Sequence, residues 1–121
     1  MVRRMIILEI KVNDYVRTKQ GYIGKAIIIA EYNTNIEDKK IVRTKDIIKS
    51  SPRIIDLIEV GDYVNGQLVK HTAYFEGVEE PIKKLIFADE YHLIPTEVCE
   101  ENEIKSIVTK EQFEQMEYKI D

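Results

Sequence analysis

The sequence predicts a mostly β chain with two short helices, folded as a small, strongly bent antiparallel barrel. Three observations lead there. The apolar fraction of 44% is that of an ordinary globular chain, but isoleucine carries an unusually large part of it, which favours strands over helices. Short β-branched runs alternate with turns marked by Gly, Asn and Asp. A stretch also recurs: Lys11-Val12-Asn13-Asp14-Tyr15-Val16 returns as Glu59-Val60-Gly61-Asp62-Tyr63-Val64, each copy with a Gly a few residues later, Gly21 and Gly66. Two related β-units about fifty residues apart are therefore expected, a spacing within the range of internal repeats. Residues 1–58 form the first unit, ending in a short helix, and residues 59–121 the second, with its own short C-terminal helix. Both fit within one compact domain, as one barrel or two.

Taken in order, residues 5–10 read as a first strand and residues 12–18 as a second, entered through Asn13-Asp14. Lys19-Gln20-Gly21-Tyr22 is a hairpin turn. Residues 21–32 follow as a long strand with apolar residues on both faces, hence central and covered twice, with Gly24 marking a bulge or bend. Residues 33–39 make a polar loop and residues 40–44 the returning strand. Ser51-Pro52 opens a short helix, the hydroxyl capping and the proline at the first helical position, and Gly61 ends it, leaving Ile54, Leu57 and Ile58 on one face. Residues 67–75, 82–87 and 91–94 are three further strands, with Ala88-Asp89-Glu90 joining the last two. Residues 97–103 are an acidic loop containing Cys99, and residues 104–108 a strand. Thr109-Lys110-Glu111-Gln112 is a capping box that starts a two-turn helix with Phe113 and Met116 inward, and residues 117–120 finish as an edge strand.

Charge is divided unevenly. Residues 1–58 hold twelve Lys or Arg against seven Asp or Glu, whereas residues 59–121 hold six against fifteen. A dipolar molecule of this kind can steer a partner onto one face. The single cysteine excludes an internal disulfide and fits a reducing compartment. No leader pattern and no apolar run of membrane-spanning length occurs, so a cytoplasmic location without membrane contact is expected.

Enzyme signatures are missing from the sequence. It has no phosphate loop, no His-Glu-x-x-His, no Cys-x-x-Cys and no nucleophile elbow. His71 and His92 lie in expected strands without ligand spacing, so neither metal nor cofactor is expected. Glu97, Glu100, Glu101 and Glu103 around Cys99 should raise its thiol pKa, which argues against a nucleophile. Asp14 and Asp62 read as turn residues. Two binding surfaces remain. Glu76, Glu79, Glu80, Asp89, Glu90, Glu97, Glu100, Glu101 and Glu103 gather in loops of the acidic half, suited to a basic groove on a partner protein. Alternatively Arg17, Lys19, Tyr22 and Lys25 in the basic first hairpin suit nucleic acid, through phosphate contacts and base stacking.

Asp14-Tyr15-Val16-Arg17-Thr18 with Gly21-Tyr22-Ile23-Gly24-Lys25 resembles the opening hairpin of KOW-type, SH3-like barrels. Asp46-Ile47-Ile48-Lys49-Ser50-Ser51-Pro52, the stretch 55–66 and Ile107-Val108-Thr109-Lys110-Glu111-Gln112-Phe113 together are similar to a family of small phage and prophage proteins of Firmicutes. The resemblance covers roughly half of the chain and carries over no catalytic residue. It implies a non-enzymatic accessory protein that binds a host protein, such as a component of a defence system, in the manner of an anti-CRISPR inhibitor. A KOW-like nucleic-acid-binding module is the alternative.

Overall fold

The structure is a computed structural model, and it describes residues 10–37, 40–88 and 98–116. The strands expected at 91–94 and 117–120, all of the strand expected at 5–10 except Ile10, and Asp89 and Glu90 of the connection between the later strands lie outside them. The chain divides into two compact units, Met1–Pro52 and Arg53–Asp121. Both are built from antiparallel strands, so the chain is mostly β as the sequence predicts.

In the first unit β1 (Tyr15–Thr18), β2 (Ile23–Ile29), β3 (Asn33–Ile36), β4 (Lys40–Arg43) and β5 (Ile47–Ser51) form one sheet in the order β4-β3-β2-β1-β5. A single 3₁₀ turn, Thr44–Asp46, precedes β5, which returns to pair with β1. The turn at Lys19-Gln20-Gly21-Tyr22 is present, closed by Gly21 N–H to Thr18 O at 2.9 Å and Thr18 N–H to Tyr22 O at 3.0 Å. Val16, Ala26, Ile36, Val42 and Ile47 make the core.

Several expectations for this unit are corrected. The polar segment 33–36 is a strand, because Thr34 and Ile36 alternate inward while Asn33 and Asn35 face out. The long apolar strand is not covered on both faces: Ile27 and Ile28 are 50% and 56% exposed. The β2 bulge falls between Ala26 and Ile28 rather than at Gly24. Gly24 serves a close approach instead, since an added Cβ would lie 3.1 Å from Ile36 Cδ1. Ser51 does not cap a helix. It pairs with Tyr15 at the end of β5, and only a 3₁₀ turn at Ile54–Leu57 follows. Pairing across the sheet outweighs the local Ser-Pro signal there.

In the second unit β6 (Tyr63–Val64) pairs with β7 (Gln67–Leu68) and with β11 (Ile107–Val108). β8 (His71–Phe75) pairs with β9 (Ile82–Ile86), and β9 with β10 (Val98–Cys99). The single strand expected at 67–75 is divided at Val69-Lys70 into β7 and β8, where Val69 N–H donates to Asp62 O at 2.8 Å on the β6 side and Lys70 N–H donates to Ile86 O at 2.9 Å on the β9 side. The unit therefore holds two three-stranded sheets, β10-β9-β8 and β11-β6-β7, with a 3₁₀ turn, Glu101–Glu103, ahead of the last strand. A seven-residue helix α1 (Lys110–Met116) follows β11, started by the expected capping box, with Thr109 N–H to Gln112 Oε1 at 3.0 Å and Gln112 N–H to Thr109 Oγ1 at 3.3 Å. Phe113 and Met116 do not face inward. Phe113 is 46% exposed and stacks on Tyr63 with ring centroids 4.7 Å apart. Ile55, Ile58, Val64, Val69, Leu85 and Cys99 form the core. Among the described residues no helix is long and apolar enough to cross a membrane.

The repeated stretch is a repeated hydrogen-bond pattern. In the first copy Asp14 N–H donates to Lys11 O at 3.0 Å, Asn13 takes φ 78°, Asn13 N–H donates to Ala26 O and Ala26 N–H to Asp14 O. In the second, Asp62 N–H donates to Glu59 O at 3.1 Å, Gly61 takes φ 100°, Gly61 N–H donates to Val69 O and Val69 N–H to Asp62 O. Asn and Gly are the residues that tolerate positive φ, which explains their exchange between the copies.

Candidate functional site

The acidic residues of the second unit lie in two loops. Glu76, Glu79 and Glu80 belong to the connection between β8 and β9, where all three are exposed. Val78 stands fully exposed among them. The loop is tight: a Cβ at Gly77 would collide with the Glu80 carbonyl, so only glycine fits. Glu100, Glu101 and Glu103 sit on and beside the 3₁₀ turn. Its ends are fixed by a reciprocal cap, with Glu100 N–H to Glu103 Oε1 at 2.9 Å and the Glu103 N–H returned to the Glu100 side chain.

Both loops attach to one short segment. Arg53 Nη1 lies 2.7 Å from Glu80 Oε1, and the Ile55 N–H donates to Glu101 Oε2 at 3.3 Å. Lys84 pairs with Glu100 at 3.1 Å, and Lys83 donates to the Ile58 carbonyl at 3.0 Å. Six of the nine acidic residues read from the sequence are thereby described, and Arg53 brings Glu80 to the segment that Glu101 also holds. Asp89, Glu90 and Glu97 lie outside the described residues. Arg53 and Lys84 make the surface less uniformly negative than the sequence implies, because carboxylates spaced along strand ends recruit nearby cations.

Cys99 is buried, and burial pushes its thiol pKa up, with Glu103 and Glu100 adding to the effect. The sequence-level expectation for its direction holds, although desolvation outranks the carboxylates as the cause. Among the described residues no group of three or more His, Cys, Asp or Glu is arranged to hold a metal ion.

The first hairpin does not gather its four residues into an open basic face. Arg17 is fully buried, Lys19 pairs with Asp46 at 3.5 Å, and Lys25 lies over the Tyr15 ring at 5.4 Å. Tyr22 packs on the core with Lys40 Nζ 3.6 Å above its ring. Its π-face is therefore already occupied by a cation. Gln20 and Lys19 hydrogen-bond and pair with Asp46, which lowers the Asp46 pKa, Gln20 contributing most.

A second aromatic position was visible in the sequence only as one basic-half tyrosine among several. Tyr32, at the β2–β3 turn, is 76% exposed and lines a concavity with Glu31, Asn33, Arg43 and Lys45. In the other unit, Gly61, Tyr63, Leu68, Lys110, Glu111, Phe113 and Glu114 line a groove beside α1. Comparison with protein-family models, curated proteins and solved structures returned no match for this chain.

Proposed function

We propose that this chain is a non-enzymatic binding module that captures a protein partner through the acidic loops of its second unit. The partner presents a basic surface, and the phage resemblance points to a host defence component as its class. One observation carries the reading: two acidic loops are held by the same short segment, through Arg53–Glu80 and Ile55–Glu101. Anchoring Glu80 and Glu101 fixes the two loops, which lowers the cost of ordering their backbone when a partner binds the remaining carboxylates. Val78 adds an exposed apolar contact among Glu76, Glu79 and Glu80, the composition of a small hot spot with a charged rim.

Glu76 and Glu79 are the residues to test, because Glu80, Glu100, Glu101 and Glu103 also support the fold. The double variant Glu76→Lys with Glu79→Lys should retain the wild-type melting temperature and lose capture of its partner from a nuclease-treated bacterial lysate. Capture of the wild-type partner should itself weaken with added salt. Undiminished capture by the folded double variant would overturn this surface.

A further inference from the structure

The concavity at the β2–β3 turn encloses about 330 Å3 and is lined by Glu31, Tyr32, Asn33, Arg43 and Lys45. We propose that it is a binding site for single-stranded nucleic acid, with a base stacked on Tyr32 and backbone phosphates on Arg43 and Lys45. It is a second surface, independent of the acidic loops.

The ring of Tyr32 is presented without cover, unlike those of Tyr15 and Tyr22, over which lysines sit. Its backbone is fixed from Thr44. The Thr44 N–H donates to Tyr32 O at 2.9 Å, and its hydroxyl donates to Ala30 O at 2.7 Å while meeting Thr34 Oγ1 at 2.8 Å. Ala30 N–H to Asn33 O at 3.0 Å closes the turn. An exposed aromatic on a fixed turn is a stacking platform whose backbone needs no ordering when a base arrives.

The same threonine sets the cations. Arg43 and Lys45 flank the half-buried Thr44 in sequence, and both are exposed. Along the sheet the pairings Ile28↔Asn35 and Asn35↔Ile41 align one outward row, and Asn33↔Arg43 belongs to the next. Exposed Ile28 and Ile41 thus continue the face with apolar surface, suited to sugars and unstacked bases. Residues 1–52 carry eleven Lys or Arg against six Asp or Glu, the sign that attracts a polyanion. A duplex buries its base faces and offers nothing to Tyr32, which is why the ligand is single-stranded.

The test is fluorescence anisotropy of the full chain with short labelled oligothymidylate and oligouridylate at low salt, alongside a duplex of matched length. At least one single strand should bind better than the duplex, and the preferred one identifies DNA or RNA as the source. Tyr32→Ala should weaken binding about tenfold and Tyr32→Phe should restore it. Arg43→Gln with Lys45→Gln should reduce the salt slope by about 1.4, two single-strand phosphates' worth. Glu31→Gln, which removes a lining carboxylate, should tighten binding. The exposed Tyr32 side chain makes these variants safe for the fold, which a melting curve verifies. Binding of neither oligonucleotide, equal binding of the duplex, or an affinity unmoved by Tyr32→Ala would overturn the proposal.

Discussion

Asp62 and Asp14 occupy the same position in the two copies of the turn, yet they bear different loads. Asp62 is fully buried, and its carboxylate accepts from the Glu59 N–H at 2.7 Å and from the Lys110 N–H at 2.9 Å, joining the turn to the first residue of α1. Asp14 accepts from the Lys11 N–H at 3.4 Å near the surface. Hydrogen bonds to a buried charge are stronger, and their loss strands the donors. Asp62→Ala should therefore cost about 3 kcal/mol and Asp14→Ala less than about 1 kcal/mol in urea denaturation; equal losses would contradict the difference in burial. Lys110 supplies a pH dependence. Its pKa is raised chiefly by the 2.7 Å hydrogen bond to Glu59, against partial desolvation, with the charges of Glu59, Glu111 and Asp62 assisting. A raised folded-state pKa gives stability that is present below the unfolded lysine value and lost as pH rises through the folded one. Lys110→Met should flatten that alkaline limb, by less than about 1 kcal/mol because the side chain is half exposed.

At the scale of elements, the β6–β7 hairpin is the part that organises the second unit. Asn65 and Gly66 form its two-residue turn at φ 53° and 78°. The Asn65 side chain then reaches the segment ahead of β11. Its Oδ1 accepts from Lys105 N–H at 2.7 Å and Ser106 N–H at 3.1 Å, and its Nδ2 donates to Glu103 O at 2.9 Å. One residue thus sets both the turn and the position of the acidic 3₁₀ turn. Asn65→Gly preserves the backbone angle and removes the side-chain bonds, at about 1–2 kcal/mol. Asn65→Ala should lose about 1 kcal/mol more, since alanine is strained at positive φ. Stability curves of the two variants separate the contributions, and identical losses would show that the φ angle carries no cost.

Across the whole molecule, charge is sorted by unit: residues 1–52 are net basic and residues 53–121 strongly acidic. Each sign has its own exposed residues, Arg43 and Lys45 in one unit and Glu76 and Glu79 in the other. A polycation such as polylysine should shift the backbone amide resonances of residues 76–80 and 100–103. A polyanion such as heparin should instead shift those of residues 43–45. Both responses should vanish near about 0.5 M salt, where screening confines charges to a few ångströms. Shifts spread evenly over the chain would show that the asymmetry does not define local binding faces.

The sequence by itself determined the β character, the repeated Asp-Tyr-Val turn, the Gly21 hairpin and the Thr109 capping box. Each depends on residues a few positions apart, and their backbone preferences persist in any context. It also determined which residues are acidic or basic. Tertiary structure decided what those signals could not reach. It made a strand of Asn33–Ile36 by pairing both its edges, and it drew Ser51 into β5 against β1. It buried Arg17, covered Tyr22 with Lys40, left Tyr32 exposed, and stacked Phe113 on Tyr63 at the surface. Pairing across a sheet joins residues far apart in the chain, and which face of a strand meets the core changes with a one-residue shift in register, so exposure is a property of the fold.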